Sequence, residues 1–117
     1  MQVAVCLSGR GSNLEALLAA LPVQAPATVA LVVSNRESSG GLAVAQGRGI
    51  ATAVLNNTAD PTEWLALFRL HVIDFVVLAG FLKQVPPEVV RAYRGRIINI
   101  HPALLPDHGG VGMYGLN

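Results

Sequence analysis

Five short apolar runs rich in β-branched residues alternate along this chain with four amphipathic segments, and the alternation predicts a βαβαβαβαβ order. The runs fall at residues 2–7, 29–33, 52–55, 74–78 and 97–100. Between them, residues 13–21 bring Leu14, Leu17, Leu18 and Leu21 onto one helical face, and residues 42–48 make a shorter helix. Residues 62–70 follow Asp60-Pro61, and residues 87–93 open on a proline, which suits the first turn of a helix. Strands that alternate with helices fold as right-handed crossovers, so the expected class is α/β, a mostly parallel sheet with helices on both faces. After Pro106 the chain becomes Asp107-His108-Gly109-Gly110-Val111-Gly112-Met113-Tyr114-Gly115, which reads as a glycine-rich loop with no further strand or helix.

Composition narrows the class further. Of the 117 residues, 52% are hydrophobic and 13% charged, which excludes disorder and suits strands buried on both faces. One domain spanning residues 1–117 is expected, large enough for a core and small for a complete α/β enzyme. A net charge of +1, with basic residues scattered as in Arg91, Arg94 and Arg96, gives no footprint for nucleic acid or an anionic membrane. The longest apolar run, residues 75–82, contains Gly80 and is far short of the roughly 20 residues that span a bilayer. The chain enters its first strand without a basic leader, and its single cysteine, Cys6, lies inside that strand as a small core residue. A cytoplasmic location is the expectation.

The first strand runs into Ser8-Gly9-Arg10-Gly11-Ser12-Asn13 and then a helix, so free backbone amides and the positive end of a helix dipole converge. Gly9 and Gly11 would let the backbone approach an anion, and Ser12 and Asn13 could add side-chain donors. A Walker A loop would end in Gly-Lys-Ser/Thr, and a dinucleotide fingerprint would need a glycine where Leu14 stands. The second strand ends in Ser34-Asn35 without the acidic residue that holds an adenosine ribose. A monophosphate site therefore stands beside a plainer reading, a tight strand-to-helix turn with Ser12 or Asn13 as the cap.

Near the other end, Ile97-Ile98-Asn99-Ile100-His101-Pro102 forms a strand in which Asn99 and His101 share one face while Ile98 and Ile100 take the other. Pro102, having no amide hydrogen, ends the ladder and puts the pair at a carboxyl end, where parallel sheets place ligands. An amide that donates to an oxyanion and an imidazole that exchanges a proton near neutral pH suit acyl or formyl transfer through a tetrahedral intermediate. The competing reading is a buried histidine satisfied by backbone, with Asn99 capping the strand. His71, at a helix end, and His108, in the glycine-rich loop, are read as structural, and no metal site is expected.

Taken together and in this order, Ser8-Gly-Arg-Gly-Ser-Asn13, Leu78-Ala-Gly-Phe-Leu-Lys83 and Asn99-Ile-His-Pro-Ala-Leu-Leu-Pro106 resemble the phosphoribosylglycinamide formyltransferase family. The resemblance also takes in Val33-Ser34-Asn35 and residues 43–51. It implies a Rossmann-like, formyltransferase-type fold and transfer of a formyl group from 10-formyltetrahydrofolate to the amine of glycinamide ribonucleotide, in purine biosynthesis and without metal. By the same resemblance Gly11, Ser12 and Asn13 hold the phosphoribosyl end, Leu82, Lys83, Gln84 and Val85 with Asn99 line the folate site, Asn99 stabilises the oxyanion and His101 relays the proton. It allows a homodimer, and small molecules are the expected partners. Read without the resemblance, residues 82–85 are simply a buried turn from strand to helix.

The chain departs from the family pattern in three places, one of them near Thr62, where some members have an arginine that helps bind folate and no residue is carried over. Lys83 stands where arginine is usual, keeping the charge and losing the planar fork. The family's catalytic Asp lies downstream of residue 117, so the chain reads as an N-terminal portion that ends before the family's C-terminal part; Asp107 is not assigned as its substitute. Two alternatives stay open: a remnant that binds a phosphorylated ligand without catalysis, and a relative of formyltetrahydrofolate deformylase or methionyl-tRNA formyltransferase. The loop after the first strand argues against the latter pair.

Overall fold

A computed structural model describes residues 1–20, 27–100 and 114–115, with the side chains of Asn13, Ala20 and Tyr114 outside that description. The elements follow the expected order: β1 (Gln2–Leu7), α1 (Gly11–Ala20), β2 (Thr28–Ser34), α2 (Gly40–Gly47), β3 (Ala51–Val54), α3 (Pro61–Leu70), β4 (Phe75–Ala79), α4 (Pro87–Ala92), β5 (Ile97–Ile100) and β6 (Tyr114–Gly115). They make a six-stranded sheet of order β3-β2-β1-β4-β5-β6. All pairings from β3 through β5 are parallel, and β6 adds antiparallel to β5.

The last strand corrects one expectation. The glycine-rich tail was expected to carry no strand, yet Tyr114 and Gly115 pair with Asn99 and Ile98. Two residues held by backbone hydrogen bonds to an open sheet edge leave no periodicity to read. Most predicted boundaries moved by one or two residues. The predicted strand at 74–78 is Phe75–Ala79, because Asp74 is spent at the strand entrance, where its carboxylate accepts from the Gln2 amide at 2.7 Å.

Alternation along the strands sorts the core into two layers. Val3, Val5 and Leu7 of β1 join Leu14 and Leu17 of α1, Leu42 and Ala45 of α2, and Val77 and Ala79 of β4. Ala4 and Cys6 face the other way, with Trp64 and Phe68 of α3, Val76 and Leu78 of β4, Val89 of α4 and Tyr93. Helices thus cover both faces, α1 and α2 on one and α3 and α4 on the other, which is why the β1 and β4 runs are apolar without a polar side.

Local chemistry sets α3 firmly. Asp60 caps it by accepting from Thr62 N at 3.0 Å, Pro61 occupies its first position, and Glu63 reaches back to the Asn56 and Asn57 amides at 3.1 and 3.0 Å. The helix then delivers Trp64 into the core with its ring N–H donating to Thr58 O at 3.0 Å.

Candidate functional site

The strand order places β1 between β2 and β4. The chain leaves β1 toward α1 on one face and leaves β4 toward α4 on the other, so a crevice opens between the carboxyl ends of β1 and β4. This is the topological switch point at which doubly wound sheets bind ligands.

The loop from β1 to α1 forms one wall. Helix α1 begins at Gly11, so Ser12 and Asn13 lie within its first turn and neither holds the cap position that the plainer reading needed. Ser12 is exposed; the Asn13 side chain lies outside the described residues. A side chain at Gly11 would bring its Cβ within 2.5 Å of Val44 and 2.9 Å of Gly40 O, so only glycine lets the starts of α1 and α2 meet. The loop is held from the α2 side as well: Gly9 O accepts from Ser39 Oγ at 2.7 Å and from Gly41 N at 3.1 Å. A cavity of about 410 Å³ runs along it, lined by Ser8, Gly9, Arg10, Gly11, Arg36 and Ser38 among others.

The loop from β4 to α4 forms the facing wall. It turns at Gly80, whose φ of +73° is open to glycine at little cost. Phe81 anchors edge-on against Trp64 at 5.3 Å between ring centroids. Leu82 N donates to Ser8 Oγ at 2.8 Å, and the Leu82 side chain stands 81% exposed. A second cavity, about 490 Å³, is lined by Ser8, Asn35, Arg36, Leu82 and Lys83. Asn35 Oδ1 is buried there without a hydrogen-bond partner among the described residues, an acceptor whose burial without a donor is costly. Exposed Arg10, Arg36 and Lys83 ring the two cavities with positive charge.

The residues singled out from the sequence are thus distributed unevenly. Gly11 and Ser12 share the first wall, and Leu82 and Lys83 the second. Gln84 and Val85 line a separate depression with Ala59 and Pro61. On β5, Ile98 and Ile100 pack with the α1 and α2 layer as the alternation requires, and half-buried Asn99 lies in register with Leu78 of β4 and Tyr114 of β6. His101, Asp107 and His108 lie outside the described residues. Ser8, Ser39, Asn35 and Arg36 were not singled out as site residues. Ser8 and Asn35 fell inside the motifs that carry the family resemblance, but like Arg36 and Ser39 they stand in polar stretches that mark turns as readily as sites. Cys6 is fully buried, and burial pushes its thiol well above the ordinary range, so it is no nucleophile. Among the described residues no group of three or more His, Cys, Asp or Glu could hold a metal, and no helix is long and apolar enough to cross a membrane.

Fold and crevice together define a doubly wound α/β domain with an anion-favouring loop at its switch point. Comparison with known proteins gives the family. The formyl transferase family matches residues 1–116, and the chain belongs to it. The chain is 38% identical over 123 residues to the chloroplastic phosphoribosylglycinamide formyltransferase of Arabidopsis thaliana, covering 98% of this chain and 42% of the relative. It is 41% identical over 118 residues to the Escherichia coli enzyme of that name, covering 95% and 56%. The crystal structure of phosphoribosylglycinamide formyltransferase from Anaplasma phagocytophilum superposes with a TM-score of 0.77 at 40% identity, covering 87% and 50%. The chain spans about half the length of the relatives it matches.

Proposed function

We propose that the chain supplies the N-terminal domain, and with it the substrate-binding crevice, of a phosphoribosylglycinamide formyltransferase. In this reading the crevice takes the phosphoribosyl end of glycinamide ribonucleotide at Gly11, Ser12 and Asn13. The observation that carries it is the loop at residues 8–11: two glycines, a following helix start and the surrounding Arg10 and Arg36 favour a phosphate at a point where no acidic side chain lines the cavity. Exposed Leu82 beside Lys83, with the buried Asn35 acceptor, offers a mixed apolar and polar wall for the cosubstrate 10-formyltetrahydrofolate. Gln84 and Val85 continue that wall only if the ligand reaches past Leu82.

Formyl transfer needs the ribonucleotide amine to attack the formyl carbon, a donor for the developing oxyanion, and a group to move the amine's proton toward N10 of tetrahydrofolate as the formyl carbon–N10 bond breaks. Asn99, near the carboxyl end of β5 and in register with Leu78, is assigned the donor, and His101, two residues later in the sequence, the proton relay. Loss of one oxyanion donor costs about 2.7–4 kcal/mol of barrier. The test is an absorbance assay of formyl transfer to glycinamide ribonucleotide: the chain turns over, and Asn99→Ala lowers kcat by about 10²–10³. Because the chain spans half of its relatives, a second reading is a domain that binds the phosphorylated substrate and leaves chemistry to residues elsewhere. Ribonucleotide binding with no transfer would select that reading. The proposed setting is the cytoplasm, although the Arabidopsis relative is named chloroplastic.

A further inference from the structure

Ser8 and Arg36 line both cavities, and Ser8 also bonds across the crevice. It is 1% exposed, sits at the carboxyl end of β1, and accepts from the amide of a residue 74 positions later. On its own side it is joined through one peptide to Gly9, whose carbonyl is clamped by Ser39 and Gly41. On the far side, the loop it grips is anchored where Phe81 packs edge-on against Trp64 and, further on, where Val85 packs against the core. Between those anchors Leu82 and Lys83 are exposed, and the bond from Leu82 N to Ser8 Oγ ties this stretch directly to the anion loop.

We propose that Ser8 is a positioning residue that couples occupancy of the anion loop to the placement of Leu82 and Lys83. The inference rests on the anion-loop reading given under Proposed function. An anion that draws the amides of residues 9–12 toward itself moves the end of β1 by a fraction of an ångström, and a 2.8 Å hydrogen bond passes that shift to the Leu82 amide. Binding at one wall thereby prearranges the other, and by reciprocity a ligand on the Leu82 side tightens the anion loop.

Amide hydrogen exchange and chemical shifts of the isotope-labelled chain, titrated with inorganic phosphate, test this. In the unsubstituted chain, phosphate shifts residues 9–12 and, with the same midpoint, Leu82 and Lys83, while slowing exchange at Leu82. In Ser8→Ala the Leu82 amide exchanges about tenfold faster, as loss of one net hydrogen bond implies. Its response to phosphate vanishes while residues 9–12 still respond. Ser39→Ala, which cuts the opposite clamp, leaves the link to Leu82 in place. A phosphate response confined to residues 9–12 in the unsubstituted chain, or one that reaches Leu82 equally in Ser8→Ala, overturns the coupling and spares the anion site. No response at residues 9–12 at all overturns the anion-loop reading, and the coupling with it.

Discussion

The two ends of the same sheet treat their polar groups in opposite ways. At the amino end, side chains and backbone consume one another. The Asp74 carboxylate accepts from Gln2 N at 2.7 Å, and Asp74 N donates back to Gln2 O at 2.8 Å. Gln2 Nε2 donates to His71 O at 2.9 Å, Tyr93 O–H to Ile73 O at 3.0 Å, and Arg96 lies over the Tyr93 ring while donating to Asp74 O. At the carboxyl end, Asn35 Oδ1 is buried without a partner among the described residues, Arg10, Arg36 and Lys83 face the cavities, and glycines replace bulk. One end closes the β1 to β4 seam; the other holds it open with unspent hydrogen-bonding capacity. A groove also exists at the amino end, about 340 Å³ between α3 and α4, but its lining is mainly apolar with Arg69 and Arg96 at the rim, and Tyr93 and Arg96 already spend their polar atoms on Ile73 O, Asp74 O and Ala92 O. Cavity size alone therefore does not locate the site.

Substitutions at the two ends should separate binding from stability. The largest effect is expected at Gly11→Ala, whose new methyl must push Val44 and the Gly40 carbonyl aside. Overpacking of this kind costs about 1–3 kcal/mol, and because the displaced backbone is the anion loop, phosphate affinity should fall about 10- to 100-fold by calorimetry. Asp74→Ala should mirror it: leaving the half-buried Gln2 amide unpaired costs about 1–3 kcal/mol in denaturant unfolding, with phosphate affinity unchanged.

Tyr93→Phe is a smaller version, costing about 1 kcal/mol for one hydrogen bond. It also carries a pH signature. Burial raises the Tyr93 phenol above its ordinary 10.0, with Arg96 opposing and Asp74 adding to the shift. A group whose folded value lies above its unfolded one gives stability that is complete below the unfolded value and is lost as pH rises through the folded one. Stability should therefore decline above about pH 10, and less steeply in Tyr93→Phe; buried Cys6 contributes with the same sign and persists in the variant. The smallest effect is a gain. Val72, exposed and at φ +54°, occupies the left-handed position after α3, where Ile73 N closes the turn onto Phe68 O at 2.9 Å. Val72→Gly relieves that conformation and should stabilise the fold by about 0.5–1 kcal/mol, read as a raised Tm with binding unaffected.

How much of this was legible beforehand differs between the same two ends. The strands were readable because β-branched runs buried on both faces leave continuous apolar stretches, and α3 because Asp60-Pro61 and Glu63 are local signals. The strand-to-helix turn after β1 was readable because Gly9 and Gly11 mark it in the sequence. Long-range side-chain bonds were not. Nothing near Ser8 points to Leu82, nor anything near Gln2 to Asp74, since those pairings exist only once β1 and β4 lie side by side. The strand at Tyr114–Gly115 was missed for the same reason: its partner, not its composition, makes it a strand.

The central claim is that the carboxyl-end crevice between β1 and β4 receives the phosphorylated substrate. Titrating glycinamide ribonucleotide into the isotope-labelled chain and mapping the shifted amides tests it most directly. The account predicts saturable shifts at residues 8–12 and at Leu82 and Lys83, moved to about 10- to 100-fold higher concentration by Gly11→Ala and unchanged in Asp74→Ala. Shifts centred on the Arg69 and Arg96 groove at the opposite end, or none, would contradict it.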